Sequence, residues 1–327
     1  MEARLASRPV GELTEEHFEL VDAEVGEPGE GEFLVRNDWM LLSVVMRDLM
    51  EAEPHPELPM SGYQVGEPPW APTVGTVVRS NSPEYAVGDL VRHTYGFREH
   101  VVGDAGDWAF TKLDPDLLPG PHYHLNQGPT AWRGMVELAG AGEGDTVFVS
   151  AATSGVGSVA GQIARCRGAA RVIGSTGSKD KIGYLVDELG FDAAFDYHDG
   201  PVAERLAELA PDGIDVFFDN VAGEQFEAAL RLAAPNARFV LCGGLSGRNP
   251  TLDLEPAVLR DVTFRGFTTS YEPESYAAWT EHYSRWLREG RFVFPHTVVE
   301  GGIAEVPRAL VAQLRGAYRG TALVKLS

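Results

Sequence analysis

The sequence predicts an α/β protein in two parts, a six-stranded, doubly wound parallel sheet set into a mostly antiparallel β unit. Three observations carry this expectation. From about residue 145 to about residue 270, apolar runs alternate with helical stretches, as in a parallel sheet covered on both faces. Within that region the segment 147–161 reads Val-Phe-Val-Ser-Ala-Ala-Thr-Ser-Gly-Val-Gly-Ser-Val-Ala-Gly, a strand that passes through a glycine turn into a helix. Ahead of it, to about residue 120, short alternating runs are broken by Gly, Pro and acidic turns, the pattern of antiparallel strands.

In the first part, strands are predicted at Gly31–Leu42, Thr73–Arg79 and Leu90–Thr94. The six parallel strands are predicted at Thr146–Ser150, Arg171–Ser175, Ala193–Tyr197, Asp215–Asp219, Arg238–Cys242 and Val262–Thr268, with the expected order 3-2-1-4-5-6. An aromatic-rich helix, Glu274–Glu289, follows. The chain then ends in a helix near Val306–Arg315 and a strand, Ala322–Leu326. That tail is too short to fold alone, so it is expected to return to the first part. The expected division is 1–122 with 292–327 for the β unit and 123–291 for the parallel-sheet domain.

The 327 residues exceed the roughly 100 to 200 of one domain, which agrees with two. The 27 Lys and Arg against 48 Asp and Glu leave a formal charge of -21, a field that repels nucleic acid and anionic membrane surfaces. No nucleic-acid or membrane partner is expected. Cys166 and Cys242 are the whole cysteine complement, and neither sits in a CxxC pair. A disulfide framework and a cysteine zinc site are therefore excluded, in keeping with a reducing compartment. The start, Met-Glu-Ala-Arg-Leu-Ala-Ser, lacks the apolar core of a signal peptide, and no run reaches the ~18 apolar residues of a membrane span, so a cytoplasmic location is expected. His122 and His124 form a close pair without a cysteine partner and read as loop residues, so no metal is expected.

The glycine turn has the shape of a dinucleotide site. Gly155 and Gly157 let the backbone turn tightly and approach a pyrophosphate, Gly161 lets the helix pack on the sheet, and the helix N-terminus offers N–H groups and positive dipole. The next strand runs into Ser175-Thr176-Gly177-Ser178, without the Asp or Glu that would bind both hydroxyls of an NAD ribose. Lys181 follows, and Tyr197 closes the strand after that. A cation and a phenol near the adenosine ribose suit a 2′-phosphate, which points to NADP(H).

Several further motifs line up along the chain: Val35–Met50, Gly88-Asp89-Leu90-Val91, Gly128-Pro129-Thr130-Ala131-Trp132, Ser158-Val159-Ala160-Gly161-Gln162-Ile163-Ala164, Phe217-Phe218-Asp219-Asn220-Val221-Ala222-Gly223-Glu224 and Leu241-Cys242-Gly243-Gly244. Together with the two-part layout they resemble the zinc-free medium-chain dehydrogenases/reductases over essentially the whole chain. The branch is that of the prostaglandin reductases, leukotriene B4 12-hydroxydehydrogenases, alkenal double-bond reductases and curcumin reductases. The resemblance implies a GroES-like β domain that carries the substrate side and a Rossmann domain that binds NADP(H). It places Thr153, Ser154, Gly155, Val156 and Gly157 at the pyrophosphate, Ser178, Lys181 and Tyr197 at the 2′-phosphate side, and Asn220, Cys242, Gly243, Gly244, Phe267 and Thr268 along the nicotinamide half.

This chain departs from the family pattern at four places. Ser154 stands where the family usually has its first turn glycine, which predicts a tighter or shifted pyrophosphate approach. Ser43-Val44-Val45 replaces Asp-Pro-Tyr, and Tyr318-Arg319-Gly320-Thr321 replaces Asn-x-Gly-Lys. A tyrosine of the plant enzymes falls on Pro273, with Tyr271 two residues earlier.

The reaction implied is metal-independent: hydride passes from NADPH to the β-carbon of an α,β-unsaturated ketone or aldehyde, and charge develops on the carbonyl oxygen. Donors at that oxygen stabilise the enolate more than the ground state. Tyr271 is the first candidate proton donor and Tyr63 the second, each weighed against a role as pocket wall. The alternatives are a quinone reductase, a reductase dedicated to one biosynthetic substrate and, from another class, a redox-inactive NADP(H)-binding protein. The resemblance also implies a homodimer formed through the sheet edge at Val262–Thr268, since an uncovered apolar edge strand tends to find a partner.

Overall fold

The structure, a computed structural model, describes residues 1–269 and 272–327. Tyr271 therefore lies outside the described residues. The chain forms two compact units, Met1–Asn126 with His296–Ser327, and Gln127–Pro295.

The first unit opens with an antiparallel ribbon, β1 (Glu2–Leu5) on β2 (Phe18–Val21). Its main sheet is built on the long β3 (Glu32–Leu42), followed by the single-turn α1 (Val45–Asp48), β4 (Thr73–Ser80), β5 (Leu90–His93), β6 (His100–Asp104) and the short β7 (Thr111–Lys112). Two register shifts between β3 and β4 let the strand serve two cores. Phe33 and Val35 pack in a small cluster where Phe33 stacks on Tyr85 at 4.1 Å, whereas Met40 and Leu42 enter the larger core with Phe97. Gly75 is required between the strands, because a Cβ there would sit 2.3 Å from the Arg36 carbonyl oxygen.

In the second unit the strands β8 (Thr146–Val149), β9 (Arg171–Thr176), β10 (Ala193–Asp196), β11 (Ile214–Asp219), β12 (Ala233–Leu241) and β13 (Thr263–Gly266) form one parallel sheet. Its order is β10-β9-β8-β11-β12-β13, the expected 3-2-1-4-5-6. The connections carry α2 (Gly128–Trp132) before the sheet and then α3 (Gly155–Cys166), α4 (Val202–Leu209), α5 (Gly223–Arg231), α6 (Leu254–Leu259) and α7 (Pro273–Arg288). Phe148, Phe217 and Phe239 form the centre of its core, the first two stacked at 4.9 Å. Strand β12 begins five residues before its predicted start. Pro235 and Asn236 ordinarily end a strand, but Asn236 takes a φ of 62° and the pairing with β11 shifts register, so the chain passes through a bulge.

The chain then returns to the first unit as β14 (His296–Val299), α8 (Val306–Leu314) and β15 (Thr321–Lys325). The completed sheet runs β14-β15-β3-β4-β5-β7, with β6 also on β3. Val306 and Leu310 of α8 close the core over Met40, Leu42 and Val324.

His93 is buried in this unit, and its Nδ1 accepts the Tyr95 N–H at 3.1 Å. The neutral ring's proton is thereby assigned to Nε2. Burial pushes its pKa down to about 3, and holds His122 and His124 at about 4. The unfolded chain takes up a proton near pH ~6.5 that folded His93 refuses, so stability is lost as pH falls from about 6.5 toward about 3. At pH 5 the expected loss from His93 alone is about 2 kcal/mol relative to neutral pH. Urea denaturation at the two pH values measures it, and a loss of the same size in His93→Gln removes His93 as the cause.

Candidate functional site

The C-terminal ends of the parallel strands gather most of the sequence-predicted residues. After β8 the backbone turns at Ala151, whose φ is 47°, and reaches Ser154, the N-cap of α3. Ser154 has φ -74° and ψ 170°, an extended conformation that needs no glycine, and its Oγ accepts the Gly157 N–H at 3.1 Å. Serine at this place therefore caps the helix. Gly157 has no such freedom, because a Cβ would lie 2.4 Å from the Ala151 carbonyl oxygen, and at Gly161 it would lie 2.0 Å from the Phe191 ring.

The N–H groups of Gly155 and Val156 have no protein acceptor among the described residues, and the first turn of α3 holds no acidic side chain. Two open donors, the dipole of a 12-residue helix and a glycine that admits only backbone contact suit a pyrophosphate. The turn is tied to β9: the Ala152 N–H donates to the Ser175 carbonyl oxygen at 2.8 Å, and the Thr153 and Thr176 hydroxyls lie 3.2 Å apart. Ser175 Oγ in turn donates to Gln225 Oε1 at 2.5 Å, a buried partner from α5 that no local sequence signal announces.

Past β9, Ser178 precedes the short 3-10 turn Lys179–Lys181, which carries Lys181. Tyr197 follows β10 and leans on Gly177, where a Cβ would be 3.2 Å from its ring and 3.4 Å from its hydroxyl. Ser178 and Lys181 thus follow the end of β9 and Tyr197 the end of its neighbour β10. His198 and the Lys179–Asp199 ion pair, 2.8 Å, stand beside them and were not anticipated.

On the other side of β8, the buried Asp219 organises three strand ends. Its Oδ1 accepts from Ser150 Oγ and from the Val221 and Ala222 N–H groups, each at 2.9 Å. Its carbonyl oxygen accepts from Cys242 and Gly243 at 2.8 and 3.2 Å. Asn220 donates through Nδ2 to the Ser150 carbonyl oxygen at 2.7 Å and through its backbone N–H to Ser150 Oγ at 2.8 Å. Burial raises the Asp219 carboxyl above the usual carboxylate range against the pull of these donors. It also pushes the Cys242 thiol up to about 12, with the Asp219 charge adding to it, so this cysteine stays an unreactive thiol. Ala222 sits at φ 62°, ψ -154°, a region essentially reserved for glycine, and is held there by its bond to Asp219.

Phe267 packs edge-on against Phe218 at 6.1 Å over Gly134, where a Cβ would meet both rings within 2.8 Å. The Thr268 carbonyl oxygen accepts from Arg133 at 3.3 Å. Gly134 sits in a π-helical segment, Arg133–Leu138, that sequence periodicity does not reveal. Ser150, by contrast, has a signal, a hydroxyl at the end of the first parallel strand.

Tyr63 belongs to the first unit. Its hydroxyl donates to the Trp70 carbonyl oxygen at 2.9 Å, its ring stands edge-on to Trp70, and burial raises its pKa. Ser43-Val44-Val45 leads into α1, where Val44 is exposed at 39%. Among the described residues no group of three or more His, Cys, Asp or Glu is arranged to hold a metal, and no helix is long and apolar enough to cross a membrane.

Residues 155–285 match the family described as zinc-binding dehydrogenase, and residues 2–110 match that described as N-terminal domain of oxidoreductase. The chain is 31% identical to an NADPH-dependent curcumin reductase of Escherichia coli (strain K12), over 99% of this chain and 96% of the relative. It is 32% identical to prostaglandin reductase 1 of Oryctolagus cuniculus, over 95% and 89% of the two chains. Among solved structures, CurA in complex with NADPH from Vibrio vulnificus superposes with a TM-score of 0.89 at 30% identity, covering 100% of this chain and 99% of that one.

Proposed function

The chain belongs to the zinc-free medium-chain dehydrogenases/reductases, in the branch of prostaglandin, curcumin and alkenal double-bond reductases, and on that premise we propose that it reduces the carbon-carbon double bond of an α,β-unsaturated ketone or aldehyde. It is an NADP(H)-dependent oxidoreductase. The observation that supports NADP(H) from this chain's own residues is the end of β9, where Ser175–Ser178 offer no carboxylate, the turn Lys179–Lys181 follows, and Tyr197 leans on Gly177 from the neighbouring strand end.

Bound NADPH supplies the hydride. The chain's part is to hold, orient and protonate. Gly155, Val156 and the capped start of α3 present donors to the pyrophosphate, and the turns hung on Asp219 place Asn220 and Cys242–Gly244 at the strand ends beside it. Tyr271 is the proposed donor to the substrate. Tyr63 already spends its proton on Trp70, so a donor role for it requires breaking that bond.

NADPH consumption against a panel of unsaturated ketones and aldehydes tests the proposal, and no turnover with any of them overturns it. Turnover of naphthoquinones alone identifies a quinone reductase instead. For the cofactor site, Lys181→Ala should weaken NADPH about tenfold or more, the size of a charge-assisted hydrogen bond, and leave NADH nearly unchanged. Equal weakening of both, read by binding titration, removes Lys181 from the phosphate side.

We also propose a homodimer through the β13 edge. Among the described residues that strand has a sheet neighbour on one side only, and Leu254, Val258 and Leu259 of α6 are exposed at 62%, 71% and 74%. Sedimentation over a range of concentrations checks it, with a monomer throughout as the contrary result.

A further inference from the structure

A titratable side chain stands next to the β9 end with no part in the arrangement so far. His198 follows β10, and its Nδ1 lies 2.9 Å from Asp196 Oδ1, which also accepts the His198 backbone N–H at 3.0 Å. The Asp196 side chain is only 9% exposed, so the ring is held from a nearly buried anchor. The Tyr197 ring lies against it with centroids 4.0 Å apart. Both rings border Gly177, where a Cβ would be 3.6 Å from His198 Cε1. Nε2 has no hydrogen-bond partner among the described residues.

The end of the second parallel strand is where a doubly wound sheet recognises the adenosine ribose. We propose that His198 makes cofactor choice pH-dependent: anchored at Nδ1 by Asp196, it takes up a proton from solvent when a ribose 2′-phosphate sits at Gly177, and so favours NADPH over NADH increasingly as pH falls. This inference rests on the NADP(H) assignment above.

The surrounding charges leave this role to His198. Lys179 is paired with Asp199, and Arg205 with Glu208 at 3.2 Å, so neither brings uncompensated charge. Asp180 and Lys181 lie on the same short turn as Lys179. Asp196 balances the imidazolium within one hydrogen bond. The complex with NADPH then binds more protons than the free protein, and linkage makes its affinity rise as pH falls. NADH carries a hydroxyl at that place and has no such coupling. The second proton of a phosphate monoester, with a pKa of about 6, leaves on binding to cations, which is opposite in sign.

The test is calorimetric titration of the ligand-free protein with NADPH and with NADH at about pH 6.5 and about pH 8.5, in paired buffers of different ionisation enthalpy. In the wild type, NADPH binding should weaken about fivefold or more across that interval with uptake of a fraction of a proton, while NADH binding changes little. His198→Gln should abolish the uptake and the pH dependence specific to NADPH. His198→Arg should keep NADPH tight at both pH values. Undiminished proton uptake in His198→Gln overturns the proposal, as does equal weakening of NADPH and NADH in that variant. A wild type that does not prefer NADPH at either pH overturns the NADP(H) assignment itself, and the inference with it.

Discussion

Asp219→Ala should lower the unfolding free energy by about 3–5 kcal/mol and weaken NADPH binding in whatever fraction still folds. The carboxylate oxygen removed is the shared acceptor for Ser150 Oγ and the N–H groups of Val221 and Ala222. Each donor left unpaired in a buried place costs on the order of 1–3 kcal/mol, less where water enters the cavity. A second loss follows from the backbone. Ala222 holds a conformation that costs on the order of 1–3 kcal/mol, and its bond to Asp219 is what keeps it there, so the turn bearing Asn220 should relax once that bond is gone. Asp219→Asn keeps an oxygen in the same position and should lose less than half as much. Urea denaturation of the two variants with NADPH titration in parallel measures both effects, and a stable, tight-binding Asp219→Ala protein would show that the network is dispensable.

Gly157→Ala should leave a folded protein that binds NADPH about 100-fold more weakly or worse. The added methyl would meet the Ala151 carbonyl oxygen at 2.4 Å and the Ala152 Cα at 3.0 Å. Both are backbone atoms, so no side chain can swing aside, and the start of α3 must move off the turn. Overpacking of this kind costs about 1–3 kcal/mol in stability, which a domain of this size survives. Its larger effect is on the direction of the helix N-terminus, since phosphate donors displaced by an ångström lose most of their hydrogen-bond geometry. Gly155→Ala is the informative contrast. Its methyl would meet the Gln127 amide at 2.8 Å, a side chain able to turn away, and the expected weakening is much smaller. Circular dichroism confirms folding, and binding titration of the pair separates the two glycines. Equal affinity for NADPH in Gly157→Ala and the wild type would refute the close approach.

Much of the architecture was legible in the order of residues because it is written in short-range patterns. The six parallel strands announce themselves as apolar runs between helices, and the glycine turn marks the start of α3 through the φ, ψ and Cβ demands of residues a few places apart. The absence of a carboxylate after β9 was equally plain, since it is a statement about four consecutive residues. The structure added to the reading of Ser154. As a departure from a glycine pattern it suggested a tighter or shifted approach, and its extended backbone and its bond to Gly157 give it a second role as a helix cap.

What lay beyond any local pattern is the set of contacts made by residues distant in the chain. Ser150 and Asp219 are 69 positions apart, and Ser175 and Gln225 are 50 apart. Nothing in either neighbourhood specifies the pairing, because it depends on the register of β8 on β11 and on how α5 docks. The bulge at Asn236 and the place of Gly134 under Phe218 and Phe267 are decided in the same way, by the packing of whole elements. Backbone preferences and hydrophobic periodicity are properties of a few successive residues, so the order of amino acids alone settles the strands, the turn and the kind of ligand they suit. Which buried polar groups hold those strand ends in place is settled only when distant segments are brought within hydrogen-bond distance, where an unpaired donor costs more than the chain can spare.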